Sequence, residues 1–201
     1  RAVQSAPEDG QKKPPVLVVA AGAGTVSAAG GDAAEYEQLM DAIVSDGDRT
    51  EAVTSAVLAE AAETGRRVLV VATRTDHIAA IAERLSAQYR DSVTVTGKSR
   101  PAAAEDAVAR FCSGVVRVLL TTTKTVAVLD LPPVDAAVVA APFKYKNTAA
   151  AVVHPVAAGG KIVEFADDHP YFAAALSRRV ETYRALGIDC AAINPVKEKL
   201  P

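Results

Sequence analysis

Short apolar runs alternate along this chain with longer stretches in which apolar residues recur every three or four positions. Val68–Ala72 is a β-branched run of the length of a buried strand, whereas the spacing of Ile78, Ile81 and Leu85 is typical of an amphipathic helix. The alternation predicts an α/β domain with a mostly parallel, doubly wound sheet and helices on both faces. The predicted strands are residues 16–20, 68–72, 93–96, 116–121, 136–140 and 161–165, and the predicted helices are residues 34–44, 50–63, 76–88, 101–111, a short one within 146–161, and 170–186.

Polar residues and proline indicate where several of these helices begin. Thr50, Thr75 and Asp168 are expected to cap the N-termini of the helices that follow them, because a short polar side chain can accept a hydrogen bond from a free backbone N–H. Pro101 suits the first turn of its helix, where no N–H is needed.

The composition fits one domain with ordinary flanking segments. Half of the 201 residues are hydrophobic but only 4% are aromatic, so the interior must be built from Ala, Val, Leu and Ile. We expect the domain to cover residues 16–187, with a flexible N-terminal arm at 1–15 and a C-terminal tail at 188–201. No apolar run approaches the ~20 residues that span a bilayer. The sequence starts at Arg1 and not at Met, as it would in a fragment of a longer chain or after removal of an organellar transit peptide, and mitochondria are the compartment that the second alternative favours.

Charge and cysteine usage argue against several kinds of site. Twenty-two basic residues face 24 acidic ones, without the basic excess of a typical nucleic-acid-binding protein. Cys112 and Cys190 are too few for a zinc site or a disulfide framework, and Cys112 is expected to be a small core residue. Adjacent residues such as 167–169 (Asp-Asp-His) rarely converge on one ion, so no metal site is expected. The glycine-rich stretch 21–32 lacks the Gly-Lys-Ser/Thr of a phosphate-binding loop.

Six segments in a fixed order resemble the second RecA-like lobe of superfamily 2 helicases of the DEAD/DEAH type, closest to the UvsW/Rad25-like enzymes. Each segment is weakly specific alone, but their order is specific. The resemblance covers residues 16–186. The segments are DRT at 48–50, VLVVATRTDHIAAIAERL at 68–85, VTVTGKSRP at 93–101, ARFCSGVVRVLLTTT at 109–123, LDLPPVDAAVVAAP at 129–142 and GGKIVEFADDHPYFAAALSRRVETYRALG at 159–187.

The resemblance implies that the arginine-finger motif of these helicases is degenerate in this chain. In the family the pattern Gln-x-x-Gly-Arg-x-x-Arg brings arginines to the γ-phosphate of ATP, and a finger contributes ~10³–10⁵ in rate. The corresponding positions here hold Asn147, Ala150, Ala151 and His154. Alanine cannot replace a guanidinium, and an imidazole is mostly uncharged at pH 7.

Motif V, the family's second ATP-facing motif on this lobe, is also altered. Ala127 and Val128 stand where the resemblance expects Glu-Gly, whereas the following Asp130 is retained. These 201 residues contain neither a Walker A sequence nor an Asp-Glu-x-Asp/His box. We therefore expect no catalytic residues, no cofactor and no enzymatic activity from this chain by itself.

The resemblance places five residues in the loops with which the family contacts the nucleic-acid backbone. Cations and hydroxyl groups are sufficient to bind phosphate. Lysine and arginine at strand–helix turns are nevertheless commonly just solvated, and no aromatic stacking residue accompanies these. The five residues are Arg74, Lys98, Arg100, Thr121 and Lys124.

The leading hypothesis is a non-catalytic helicase lobe that acts as a structural or accessory subunit of a larger, mitochondrial protein assembly. Its partners would be other protein subunits, and Arg178 and Arg179 on the last helix would face solvent or a partner. The alternative is a nucleic-acid-binding half-helicase that works with a separate first lobe or tethers RNA or DNA. An active ATPase would need both the missing lobe and an arginine finger from elsewhere.

Overall fold

Within residues 14–21, 33–143 and 146–190, which the computed structural model describes, six strands form one parallel sheet. The strand order is first, sixth, fifth, second, fourth, third. This arrangement confirms the predicted α/β fold. The elements are β1 (Val16–Ala21), α1 (Ala33–Ser45), α2 (Gly47–Ala62), β2 (Val68–Ala72), α3 (Thr75–Ser86), β3 (Ser92–Val95), α4 (Pro101–Cys112), β4 (Val118–Thr122), α5 (Thr123–Val126), β5 (Val134–Val139), α6 (Lys146–Val153), β6 (Val156–Ala166) and α7 (Pro170–Ala185).

Both faces of the sheet are covered, which explains why the inner strands are continuous apolar runs. Along β2 every residue is buried; Val68 and Val70 belong to a core on one face, and Leu69 and Val71 to a core on the other. Helices α1, α2 and α3 pack on the first core, and α4, α5 and α6 on the second. Helix α7 contributes to both. None of the described helices is long and apolar enough to cross a bilayer.

The start of α2 differs from the prediction that Thr50 caps it. The helix begins at Gly47, and a carboxylate oxygen of Asp46 accepts hydrogen bonds from the N–H groups of Asp48 and Arg49 at 2.9 and 3.0 Å. Thr50 lies buried inside the first turn, where its hydroxyl donates to the Asp46 carbonyl. The prediction was wrong because Asp46, four residues before Thr50, already accepts hydrogen bonds from the free N–H groups.

The predicted caps of α3 and α7 are wrong as well. Thr75 is the first helical residue of α3, and Arg74 in the cap position offers the helix no side-chain hydrogen bond. Helix α7 is capped by His169 and not by Asp168; its Nδ1 accepts from the N–H of Tyr171 at 3.2 Å. Imidazole nitrogen can act as the acceptor in place of a carboxylate or hydroxyl oxygen.

Cys112, predicted to be a core residue, is exposed. Successive residues of a helix point about 100° apart because a turn takes 3.6 residues. Its neighbour Phe111 is completely buried, so Cys112 faces away from the sheet at the last residue of α4.

Arg179 is buried rather than solvent-facing, which corrects the prediction for that residue, whereas Arg178 is exposed. The Arg179 guanidinium donates to both carboxylate oxygens of Glu164 at 2.8 and 2.9 Å and to the Phe143 carbonyl at 2.8 Å. Tyr183 also donates to Glu164, at 2.6 Å. Burial lowers the pKa of Arg179, but the attraction and hydrogen bonds of Glu164 outweigh it and raise the pKa above its ordinary value.

A second buried arginine, Arg49, donates to a backbone carbonyl from the other face of the sheet. It donates twice to the carbonyl of Ala140, at 3.0 and 3.2 Å, forms an ion pair with Asp167 and lies 5.3 Å from the ring centroid of Phe165. Burial lowers its pKa to about 10. The two arginines therefore hold the segment 140–143 from both faces, just before α6.

Candidate functional site

A cavity of about 730 Å³ lies beside the last turn of α6, and we call it the α6 cleft. Pro15, just before β1, and Val156, the first residue of β6, belong to its wall, which places it at the amino edge of the parallel sheet. The cleft brings together five of the positions selected from the sequence. They are Ala127, Asp130, Ala150, Ala151 and His154.

Two selected positions do not line the α6 cleft. Asn147 lies in the first turn of α6 with an exposed side chain, away from the cleft wall. The side chain of Val128, which stands where the resemblance expects glycine, is 81% exposed and is not part of the cleft wall.

An irregularity of β6 shapes one wall of the cleft. The pairing of β5 with β6 shifts between Val134↔Val156 and Ala136↔Lys161, so several residues of β6 bulge out of the ladder. Gly160 sits in the bulge, where an added Cβ would lie 2.9 Å from two backbone carbonyl oxygens. A side chain at position 160 would therefore force the wall apart, and this glycine keeps the bulge closed.

The chemistry of the α6 cleft is poor for phosphate. Its lining consists of Ala, Val, Leu, Ile and Pro side chains, with Asp130 and His154 the only titratable groups among them. The Asp130 carboxylate repels an anion. The last turn of α6 adds carbonyl oxygens and the negative end of the helix dipole, which disfavour an anion further.

The five predicted nucleic-acid contacts lie at the opposite, carboxyl edge of the sheet. Arg74 follows β2, and Thr121 lies within β4. Lys98 and Arg100 follow β3, and Lys124 follows β4. Because β2, β4 and β3 are neighbours in the sheet, their carboxyl ends form one continuous edge. The structure thus brings these five positions to one side of the molecule.

Two of these five side chains are not available to a ligand, because one is ion-paired and the other is buried. Arg74 forms ion pairs with Glu37 and Asp41 of α1, and the hydrogen bond to Asp41 is the main reason that its pKa is raised. Thr121 is fully buried, with a hydroxyl that has no hydrogen-bond partner among the described residues. Neither side chain is free to meet a phosphate.

The other three, Lys98, Arg100 and Lys124, are exposed and form no ion pair with another described residue. The turn that carries the first two is held by Ser99, whose hydroxyl accepts from the N–H of Thr96 at 3.0 Å. They form a small cationic strip, which we call the carboxyl-edge strip.

No family model and no curated protein matches this sequence, so the comparison rests on solved structures. The chain superposes on the C-terminal domain of the DEAD-box protein Dbp5 with a TM-score of 0.64 at 11% identity, covering 89% of both chains. It superposes equally well on Escherichia coli SrmB, a DEAD-box protein bound to regulator of ribonuclease activity A, at 14% identity and over 95% of this chain and 99% of that one. The chain has the fold of a second RecA-like helicase lobe.

The lobe matches only part of a longer protein that contains the same fold. It covers 41% of the Saccharomyces cerevisiae Dbp5 chain bound to RNA and ADP BeF3, at a TM-score of 0.61 and 10% identity. At these identities the likeness concerns the fold alone.

Some predictions for the lobe fall outside the described residues: the glycine-rich stretch beyond Ala21, the arm up to residue 13 and the tail from residue 191. The start of the tail is described. Ile188 and Cys190 are buried, and Asp189 pairs with Val16 at the edge of β1.

The burial of His77 and its lowered pKa were not predicted from the sequence. The imidazole is fully buried on α3, and neither ring nitrogen has a hydrogen-bond partner among the described residues. Burial, helped by the nearby Arg49, lowers its pKa from 6.5 to about 4, although Asp76 opposes the shift. His77 lies four residues before Ile81, on the apolar stripe of α3. This spacing could have indicated that its imidazole is buried.

Proposed function

We propose that the lobe is a non-catalytic, accessory subunit of a larger protein assembly. The observation that carries the proposal is the lining of the α6 cleft, where Ala150, Ala151 and His154 occupy the finger positions and no lysine or arginine is present. The backbone that precedes α6 is well ordered by side chains, since Arg49 donates to the carbonyl of Ala140 and Arg179 donates to that of Phe143. A surface kept in shape without its reactive groups is suited to binding rather than to catalysis.

Proteins of the same fold support a role in protein binding. The SrmB structure contains regulator of ribonuclease activity A, and a S. cerevisiae Dbp5 structure contains Gle1. A mitochondrial location stays a prediction from the sequence.

ATP turnover tests the loss of catalysis. We expect the lobe, fused to the first RecA-like lobe of an active DEAD-box enzyme, to hydrolyse ATP no faster than that first lobe alone, because an arginine finger contributes ~10³–10⁵ in rate. Phosphate release is measured for the fusion and for the same fusion with Asp130→Ala. Turnover that depends on Asp130 would contradict the proposal.

The accessory role is tested in the native source. A tagged lobe is purified at physiological salt, and its companions are identified by mass spectrometry with their stoichiometry. We expect defined protein subunits in constant ratio to the lobe. Its recovery as a soluble monomer without companions would argue against an accessory subunit.

A second candidate function, nucleic-acid binding, is favoured by the carboxyl-edge strip. Three exposed cations could neutralise phosphates of a single strand, and each contact contributes about −0.7 to the slope of log K against log salt. We therefore expect a slope of roughly −2 if all three contribute. Fluorescence anisotropy with a labelled single strand at several salt concentrations measures it.

The variant Lys98→Glu with Arg100→Glu should abolish that binding. A matched control is Arg90→Glu with Arg110→Glu, which reverses two exposed arginines outside the strip. Equal losses in both variants would indicate an unspecific effect of net charge, and binding insensitive to salt and to both variants would exclude this candidate.

A further inference from the structure

We propose that helix α1 masks Arg74, and that this arginine joins the carboxyl-edge strip as a fourth cation once the carboxylates of Glu37 and Asp41 are neutralised or taken up by another cation. The inference rests on the second candidate function, nucleic-acid binding, and describes how that same site is regulated. Three features of the described residues support it: the place of Arg74 at the sheet edge, its pairing with α1, and the fixed position of that helix.

Arg74 lies at the same edge of the sheet as the strip. It follows the end of β2 by two residues; β2 is the neighbour of β4, which leads to Lys124, and β4 is the neighbour of β3, which leads to Lys98 and Arg100. Neighbouring strands are about 4.8 Å apart, so β2 and β3 are separated by roughly 10 Å. The four cations are therefore close enough to contact one strand of nucleic acid.

The pairing with α1 distinguishes Arg74 from the three cations of the strip. Its guanidinium donates through Nη1 to Asp41 and through Nη2 to Glu37. The two carboxylates are 65% and 66% exposed, whereas the arginine is only 23% exposed, so an approaching anion meets the acids first. Two carboxylates outweigh one guanidinium, and this end of the edge therefore repels phosphate although it contains an arginine.

The packing of α1 holds the two carboxylates in place. Leu39, Met40 and Ile43 are at most 1% exposed and belong to the core on one face of the sheet, so apolar contacts anchor the helix. Glu37 and Asp41 are four residues apart and thus lie on the same side of α1, where both reach one guanidinium. Because the helix does not depend on its ion pairs, we expect it to stay packed when Arg74 is released.

The contacts of Arg74 are of a kind that a competing ion displaces. Arg49 and Arg179, which are buried, donate to backbone carbonyls, whereas Arg74 donates to no backbone carbonyl of the described residues. Ion pairs with exposed carboxylates contribute little to stability, because water and salt screen them. A cation that binds Glu37 and Asp41 therefore favours phosphate binding at Arg74, and by linkage phosphate at Arg74 favours the cation to the same extent.

Binding of a fluorescein-labelled single strand by the whole chain tests the mask. Glu37→Gln with Asp41→Asn removes both charges while keeping the shape of the side chains, and it leaves Arg74 unpaired. We expect the slope of log K against log salt to change from roughly −2.1 to roughly −2.8, because one phosphate contact is added. If the two proteins bind equally at 1 M salt, this contact strengthens binding at 50 mM salt about eightfold. Fluorescence anisotropy at several salt concentrations measures both quantities.

Two controls separate the release of Arg74 from a general loss of negative charge. Adding Arg74→Gln to the double variant should return the slope to that of the wild type. Glu51→Gln with Glu63→Gln removes the same charge from ion pairs elsewhere, with Arg84 in the last turn of α3 and with Arg66 before β2, and should leave the slope unchanged.

Either control can overturn the mask. A gain that persists after Arg74→Gln, or an equal gain from Glu51→Gln with Glu63→Gln, would come from net charge and not from Arg74. Circular dichroism checks that each variant is folded. The single variants Glu37→Gln and Asp41→Asn should each give part of the gain, and no gain in any folded variant would also overturn the mask.

The strip variant Lys98→Glu with Arg100→Glu separates the mask from the candidate function on which it rests. Strip-dependent binding by the wild type, without a gain from Glu37→Gln with Asp41→Asn, overturns the mask alone. Strip-dependent binding that appears only after these two changes supports the mask and shows that α1 keeps the edge closed. Absence of binding in every variant overturns both the mask and the candidate function.

Discussion

Replacing Arg179 by methionine is expected to lower the free energy of unfolding by about 3–5 kcal/mol, since it leaves a buried carboxylate without its partner. Glu164 is 1% exposed and would keep only the hydrogen bond from Tyr183, while the carbonyl of Phe143 would lose its donor. Urea denaturation of the variant and the wild type measures the loss.

Arg178→Met is the matched control, because it makes the same change one residue away on an exposed position of α7. It should alter the free energy of unfolding by no more than about 0.5 kcal/mol. Adding Glu164→Met to Arg179→Met should restore part of the lost stability, because an apolar pair no longer carries a buried charge. Equal small effects of Arg178→Met and Arg179→Met would show that the buried pair is not formed in solution.

Acidification from pH 6.5 to pH 4 is expected to destabilise the lobe by about 3 kcal/mol through His77 alone, because its pKa falls from 6.5 to about 4 on folding. Above pH 6.5 the imidazole is neutral in both states, and its contribution to stability is fully present. As the pH falls, the unfolded chain takes up a proton that the buried, unbonded imidazole cannot accept, so stability is lost until the folded pKa is reached.

The measurement is the free energy of unfolding of the wild type and of His77→Leu across this range. The difference between the two curves isolates His77 from the carboxylates that also titrate in acid. The control is His154→Leu, a change at an exposed histidine. This variant should show the same pH dependence of the free energy of unfolding as the wild type. A wild-type curve that parallels that of His77→Leu would contradict the prediction.

The fold was predictable from sequence because apolar periodicity determines which residues are buried. Val68–Ala72 and the stripe of α3 fell where their patterns indicated. Helix caps were less predictable, since Asp46, Thr50 and their neighbours are all capable caps and only the chain path decides among them. The burial of Arg179 was not predictable from its neighbourhood in sequence, because its partner Glu164 and the carbonyl of Phe143 come from other elements.

The candidate site was predictable in part. Spacing within a motif brought Ala150, Ala151 and His154 onto one side of α6, and the link to Ala127 and Asp130 followed from the resemblance. The accessibility of the carboxyl-edge residues did not follow from sequence: Arg74 is paired with α1, whose acidic residues lie more than 30 positions away. Exposure depends on which distant side chains arrive at the same place.

Arg49 and Arg179 stack on rings that belong to opposite cores, Phe165 and Phe143, yet both donate to carbonyls of one short segment. Separating either layer of helices from the sheet would therefore leave both an arginine and a carbonyl without partners. The two layers are thermodynamically coupled through four residues of backbone, so the lobe should melt as a single cooperative unit.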